Sequence, residues 1–430
     1  MTKRKRITQI NNIGFVSTRI AGTDGVSLEA GKWAEVLEEL GYSCFYFAGE
    51  LDRPEERCML CPKAHFNHPE ISSISDAVFG NITRSEDVTE RIRTVKRELT
   101  YDVRSFIRTF QIDIMIVENA FAIPMNIPLG LALTDVVAET AIPTVAHNHD
   151  FFWERKRFLV NSVWDYLNKA FPPRHPFIRQ VVINSEARSQ LAFRRGAAAI
   201  IIPNVMNYGK LPPPPPDDYA NDVREALGVT RDEYLILQPT RIVQRKGIEH
   251  AIELVSRLGR KGVNAKLVIS HAAGDEGGDY ERRVREYSKL MRVDTLFISD
   301  LIRDERGKTA DGRKVYRLFD VYPHADLVTY PSLYEGFGNA FLEAVYFKKP
   351  ILVNTYSIYQ HDIKPKGFKI IEMDEYISEE TVDQVVHILQ NKSLSSKMAE
   401  DNYNVAKRFY SYANLRRKLK FVLSDFFGEE

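Results

Sequence analysis

Leu327–Ala344 reads LVTYPSLYEGFGNAFLEA. Its opening is an apolar, β-branched run that reads as a buried strand, and the residues from Gly338 to Phe347 take a helical pattern. The loop between them carries Glu335 and two glycines, and Glu343 follows eight residues after Glu335. That spacing puts one carboxylate on the loop and the other about one and a half turns into the helix, so both can reach one ligand. The glycines permit close backbone approach, and the N–H groups of Gly338 and Asn339 at the helix start favour a phosphate or sugar oxygen. A hydroxyl-rich ligand needs such acceptors: one carboxylate for the hydroxyls of a hexose, the other for a ribose diol. The plainer alternative is a helix start with an acidic first turn.

Outward from this stretch, the chain alternates apolar β-type runs with amphipathic helical patterns, the sequence form of a helix-covered parallel sheet. Strands are expected at Tyr234–Gln238, Ala265–Ile269, Thr295–Ile298, Leu327–Thr329 and Ile351–Val353. Helices are expected at Ile248–Leu258, Tyr280–Met291, Val315–Val321 and Gly338–Phe347. The first of these strands leads into QPTRIVQRKGI, Gln238–Ile248, where Arg241 and Lys246 project from a strand-to-helix loop and Gly247 allows the turn. A guanidinium fork and a mobile ammonium can share one diphosphate at such a loop. A solvated basic loop is the alternative.

The same alternation fills the first 200 residues, with strands expected at Ile13–Ser17, Ser43–Phe47, Ile112–Val117, Thr144–Ala146, Gln180–Ile183 and Ala199–Ile202, and a helix over Ser27–Leu40. Five consecutive prolines, Pro212–Pro216, lack donors and fix φ, so the segment suits a stiff connection. The expected layout is a domain over 1–210, a proline-rich linker over 211–220, a second domain over 221–401, and a C-terminal helix over 402–430 that closes the second domain or crosses back to the first. Ligands in doubly wound folds bind at the carboxyl ends of strands, so the chemistry is expected where the two halves meet.

Two further strand-end segments carry candidates in the first half. Gly22 and Gly25 lie in IAGTDGVS, Ile20–Ser27, a strand-to-helix turn that has neither the dinucleotide nor the P-loop glycine spacing. His147 and His149 follow the strand ending at Ala146 and could meet a substrate hydroxyl, or be core histidines. Arg19 and Arg155–Arg157 could gather positive charge for an anionic acceptor, with a solvated helix face as the alternative. Cys58, Cys61, His65 and His68 are metal-ligand types, but they lack the usual spacer of about twelve residues between pairs, so an irregular surface loop is expected instead of zinc.

Composition narrows the classes. Over 430 residues, 44% are hydrophobic and 27% charged, enough to bury a core, so disorder is excluded as the main state. Lys plus Arg number 59 against 58 Asp plus Glu, leaving no global field to attract nucleic acid. Lys3–Arg6 is not followed by an apolar signal region, and the most apolar stretch, Met115–Leu133, holds Glu118, Asn119 and two prolines, so no membrane insertion is expected. Three cysteines suit a reducing cytoplasm.

Taken together, Glu335 with Glu343, Arg241 with Lys246, and the flanking segments resemble the retaining glycosyltransferases of family 4, also called group 1. The likeness is strongest from Tyr234 to Val353. It implies an α/β fold of the GT-B type, two Rossmann-like doubly wound domains, and a nucleotide-diphosphate hexose (UDP-, GDP- or ADP-, glucose or mannose) as donor. By that likeness Glu335 contacts donor-sugar hydroxyls, Glu343 the ribose, and Gly338 and Asn339 the sugar or phosphate. His149 stands near the reacting sugar, Gly22 and Gly25 beside the diphosphate, and Leu301 near the base. Asn339 stands where an apolar residue or proline is more usual.

The resemblance also implies that Arg241 and Lys246 stabilise the charge growing on the leaving diphosphate, without a metal or other cofactor. The acceptor is expected to be small, polar and anionic. An epimerase or hydrolase on the same fold, or a lipid acceptor, are the alternatives, and a homodimer is left open.

Overall fold

The computed structural model describes residues 10–22, 24–209, 213, 215–273 and 278–427. Lys3–Arg6, Thr23 of the glycine turn, and Leu211, Pro212 and Pro214 of the proline run lie outside the described residues. The chain divides into two compact units, 1–205 with 412–430, and 206–411.

In the first unit the strands are β1 (Asn12–Val16), β2 (Ser43–Ala48), β3 (Cys58–Leu60), β4 (Ile114–Glu118), β5 (Thr144–Asn148), β6 (Ile178–Val182) and β7 (Ala199–Ile201). They form one parallel sheet in the order β3-β2-β1-β4-β5-β6-β7. β4 and β5 are buried along their whole lengths, as a parallel sheet covered on both faces requires. Because side chains alternate, Val16, Met115 and Val117 enter the core on one face while Phe15, Ile114 and Ile116 enter the core on the other. The first core is closed by α3 (Glu86–Thr109) and α4 (Ile127–Thr140), with α2 (Pro69–Val78) at its margin, and the second by α1 (Gly25–Glu39). α3 buries Val88, Ile92, Val95, Leu99, Val103 and Phe106, an unbroken three-and-four spacing. Asp24 caps α1, Ser85 caps α3 and Asn126 caps α4 through their side chains. The short α5 (Trp164–Ala170) and α6 (Ser185–Arg195) flank β6.

The second unit begins with α7 (Val223–Ala226) and holds a six-stranded parallel sheet. Its strands are β8 (Tyr234–Gln238), β9 (Ala265–Ile269), β10 (Thr295–Phe297), β13 (Leu327–Tyr330), β14 (Ile351–Asn354) and β15 (Ile371–Met373), in the order β10-β9-β8-β13-β14-β15. A hairpin of β11 (Gly307–Lys308) and β12 (Lys314–Val315) stands apart from it. Helices α8 (Ile248–Arg260), α9 (Gly278–Leu290), α10 (Leu318–Val321), α11 (Asn339–Tyr346), α12 (Glu379–Gln390) and α13 (Lys392–Phe409) complete this unit, and α14 (Tyr412–Phe427) returns to the first.

Three expectations change. The C-terminal helix expected over 402–430 is two helices broken at Tyr410–Ser411, and the amide of Met206 bonds to the Tyr410 carbonyl at 2.8 Å across the break. Leu415, Leu419, Val422 and Leu423 of α14 then fill the first unit's second core. The proline segment is not the boundary, which falls at Val205. Asp217 chelates Arg306 at 2.6 and 3.1 Å, and the Tyr219 hydroxyl donates to the carbonyls of Gly307 and Val315, each at 2.9 Å, tying the segment into the second unit. The Cys58–His68 stretch is not an irregular surface loop: Cys58 lies in β3, paired with β2, and the buried Cys61 thiol donates to Asp102 at 3.4 Å. β3 and β15, three residues each, stand in addition to the strands expected from the sequence.

Candidate active site

Each sheet reverses its strand order once, between β1 and β4 in the first unit and between β8 and β13 in the second. Ligands of doubly wound sheets bind outside the carboxyl ends at that reversal. Most of the predicted residues fall at or beside these two places, whereas Leu301 lies beyond the edge strand β10.

In the second unit, β8 ends at Gln238 and the chain runs through Arg241 into a single tight turn, Gln244–Lys246. Gly247 takes a left-handed φ of +57° before α8. A Cβ there would lie 2.5 Å from the carbonyl oxygen of Pro331, so the β8–α8 and β13–α11 loops are pressed together where only glycine fits. The amide of Leu333 adds a bond to the Arg245 carbonyl at 2.8 Å. This contact carries Glu335 onto the cations: Arg245 bonds its Oε2 at 3.0 Å and Lys246 donates to its Oε1. Burial raises the Glu335 carboxyl, yet Lys246 and Arg245 outweigh it and hold the group below the ordinary carboxylate range. Burial, only partly offset by Glu335, keeps the Lys246 ammonium below the usual lysine value. Lys246 also lies 5.4 Å from the centre of the Tyr330 ring.

Arg241 is exposed at the end of this loop. Burial first, then the charge of Arg241, keeps His271 below its usual value. Gly338 has φ +122°, and a Cβ on it would meet the hydroxyls of Tyr356 and Tyr330 at 3.0 and 3.1 Å. Asn339 opens α11, and Glu343, one turn on, accepts from the Tyr322 hydroxyl at 2.8 Å. Leu301 is buried beyond β10, its carbonyl accepting from the Tyr316 amide at 2.7 Å and its own amide donating to Ile298 at 2.9 Å. The structure thus gathers Arg241, Lys246, Glu335, Gly338, Asn339 and Glu343 on the loops and helix that follow two adjacent strands.

In the first unit, β4 ends on Glu118 and β5 carries His147, with His149 one residue past its end. Oε2 of Glu118 lies 2.9 Å from Nδ1 of His147 and 3.4 Å from Nε2 of His149. Trp33 of α1 stacks on His147 with ring centres 4.1 Å apart. Burial pushes Glu118 up, but the two histidines reverse this and hold it at about 2. Burial lowers His147, whereas for His149 the Glu118 carboxylate overcomes burial and raises it. Asn119, with φ +58°, accepts from the His149 amide at 3.0 Å and fixes the loop. Glu118, His147 and His149 also present ligand-type atoms within 4.8 Å of one another, which the cysteine and histidine segment at 58–68 does not.

The remaining predictions in this unit fare less simply. The amide of Gly22 is taken by Asp52 at 2.7 Å, and Gly25 is the first residue of α1. Arg19 is paired with Asp24 at 3.1 Å and Arg155 with Asp150, so neither cation is unengaged. Sequence reasoning missed Glu118, whose signal is a carboxylate ending an otherwise apolar strand. It also gave no role to Arg245, for which no signal existed beyond its place beside Lys246.

Two parallel, helix-covered sheets with these strand-end clusters define the GT-B class of glycosyltransferase fold. A glycosyltransferase from Rickettsia africae superposes with a TM-score of 0.67 at 14% identity, over 98% of this chain and 100% of that one. Residues 310–405 match the family model described as glycosyl transferases group 1. The chain is 31% identical to mannosylglucosylglycerate synthase of Petrotoga mobilis, over 84% of this chain and 86% of the relative. It is 29% identical to the Thermotoga maritima protein of the same name, over 94% and 97%. The chain belongs to the group 1 glycosyltransferases, and it is an enzyme that transfers hexosyl groups. No helix among the described residues is long and apolar enough to cross a membrane.

Proposed function

We propose that this enzyme moves a hexosyl group, mannose first among candidates, from a nucleotide-diphosphate sugar to a small acceptor bearing sugar hydroxyls and a carboxylate, with retention at the anomeric carbon. The observation that carries the reading is the buried Lys246–Glu335–Arg245 cluster beside Arg241, cations and an acid at adjacent strand ends. The name shared by the two relatives spells the acceptor class: a mannosyl group added to glucosylglycerate.

In this reading Arg241 and Lys246 stabilise the diphosphate as the glycosidic bond breaks, so the chain's own cations supply the charge and no metal or cofactor is needed. Glu335 binds hydroxyls of the donor sugar, and releasing part of its bond to Lys246 frees the ammonium for phosphate. Glu343 takes the ribose, Gly338 and Asn339 offer helix-start amides, and Gly22, Gly25 and Leu301 border the donor. His149, held through Nε2 by Glu118, turns Nδ1 to a sugar hydroxyl. The departing phosphate oxygen accepts the acceptor's proton. Three free cysteines and small polar substrates go with a cytoplasmic setting.

The test is to incubate the enzyme with UDP-, GDP- and ADP-linked mannose and glucose, with and without glucosylglycerate. The reading expects product by mass spectrometry only when both substrates are present, with the donor's anomeric configuration in its NMR couplings. Consumption of donor alone would point to hydrolysis, and an inverted product would remove retention.

A further inference from the structure

The first unit contains an open cleft of about 390 Å³, large enough for a glycosyl acid. Its walls are the α2 face carrying Ser75 and Asp76, Asn67 after β3, Met125 on the loop leaving β4, and Arg157 with Phe158 on the loop leaving β5. Two walls therefore come from carboxyl-end loops, where this fold class binds ligands. We infer that this cleft seats the acceptor, with Arg157 taking its carboxylate and Asp76 its sugar hydroxyls. The inference rests on the acceptor class proposed above.

The charges in the cleft carry the argument. Arg155, two residues earlier, is held by Asp150. Arg157 instead makes no ion pair among the described residues: its guanidinium touches Met125 Sδ at 2.7 Å and lies 4.6 Å from the centre of the Phe158 ring. Nη2 donates to the thioether sulfur, which orients the fork and leaves its other N–H groups, and a planar fork matches a carboxylate in two parallel bonds. Asp76 also makes no ion pair among the described residues, although it lines the same cleft as Arg157. A cation and an anion that share a cleft without pairing suit a ligand with an acid at one end and hydroxyls at the other. Asn67 and Ser75 add neutral hydrogen-bonding groups, and Met125 and Phe158 add apolar lining.

The probes are glucosylglycerate and its uncharged counterpart glucosylglycerol, given to the full-length wild type and to Arg157→Gln, Arg157→Lys and Asp76→Asn with the donor found active. Arg157→Gln is expected to raise KM for the acid about 10- to 100-fold, the loss of a charge-assisted pair, and to move KM for the alcohol far less. Arg157→Lys should recover part of the loss, and Asp76→Asn should weaken both acceptors. Because Arg157 is exposed, an unchanged Tm of the Gln variant separates this effect from misfolding. If the wild type prefers the acid and Arg157→Gln keeps that preference, the assignment of Arg157 is overturned while the acceptor reading stands. If the wild type shows no preference for the acid, the acceptor reading fails and this inference with it.

Discussion

Glu118 has no solvent contact, and its oxygens have unlike surroundings: Oε2 receives both imidazoles, while Oε1 has no partner among the described residues. Its folded pKa of about 2 lies below the ordinary 4.5, so its contribution to stability is complete above pH 4.5 and is lost as the pH falls toward 2. His149, raised above 6.5, acts in the opposite sense, contributing fully below that pH and less as the pH climbs through its folded value. Glu118→Gln should therefore cost about 3 kcal/mol at pH 7, and the gap to wild type should narrow below pH 4.5. Urea denaturation across a pH series reads this directly. The second buried pair separates stability from chemistry. Lys246→Met leaves Glu335 with Arg245 as its remaining cation, with about 2 kcal/mol lost and kcat/KM down by at least about 100-fold. Adding Glu335→Gln should restore much of the Tm and none of the turnover.

The loops proposed to hold the donor depend on two elements meeting, the turn into α8 and the turn into α11. Gly247 and Gly262 both adopt positive φ, +57° and +78°, but only Gly247 would drive a Cβ into backbone. Gly262→Ala should cost about 1 kcal/mol, the left-handed penalty alone. Gly247→Ala should cost clearly more and should weaken donor binding as well, because it pushes Pro331 and hence Glu335 off the cations. Denaturant midpoints and donor KM measured on the two variants test the difference.

At the scale of the molecule, two separately cored units predict two unfolding events. Leu419→Ala, in the core that α14 shares with the first sheet, should lower the transition of the first unit by about 2–5 kcal/mol and leave the second in place. A bound sugar nucleotide should act chiefly on the other unit, raising the transition of the one that carries Arg241 and Lys246 by about 2.7 kcal/mol at a hundred times its Kd. Differential scanning calorimetry resolves both, and a single transition responding equally to mutation and ligand would contradict this picture.

Strand periodicity, the glycine-flanked Glu335 and Glu343, and the cations at 241 and 246 were legible in the sequence because parallel-sheet interiors and strand-end loops impose local patterns. Their order along the chain suffices to suggest two doubly wound sheets. Contacts between residues far apart in sequence leave no such trace. Only the folded chain joins Glu118 to histidines about thirty residues away, gives Arg245 a share of Glu335, leaves Arg157 without an ion pair among the described residues while Arg155 is tied down, and breaks the last helix at Ser411. Charge pairing and burial act through space, so these decisions belong to the tertiary structure.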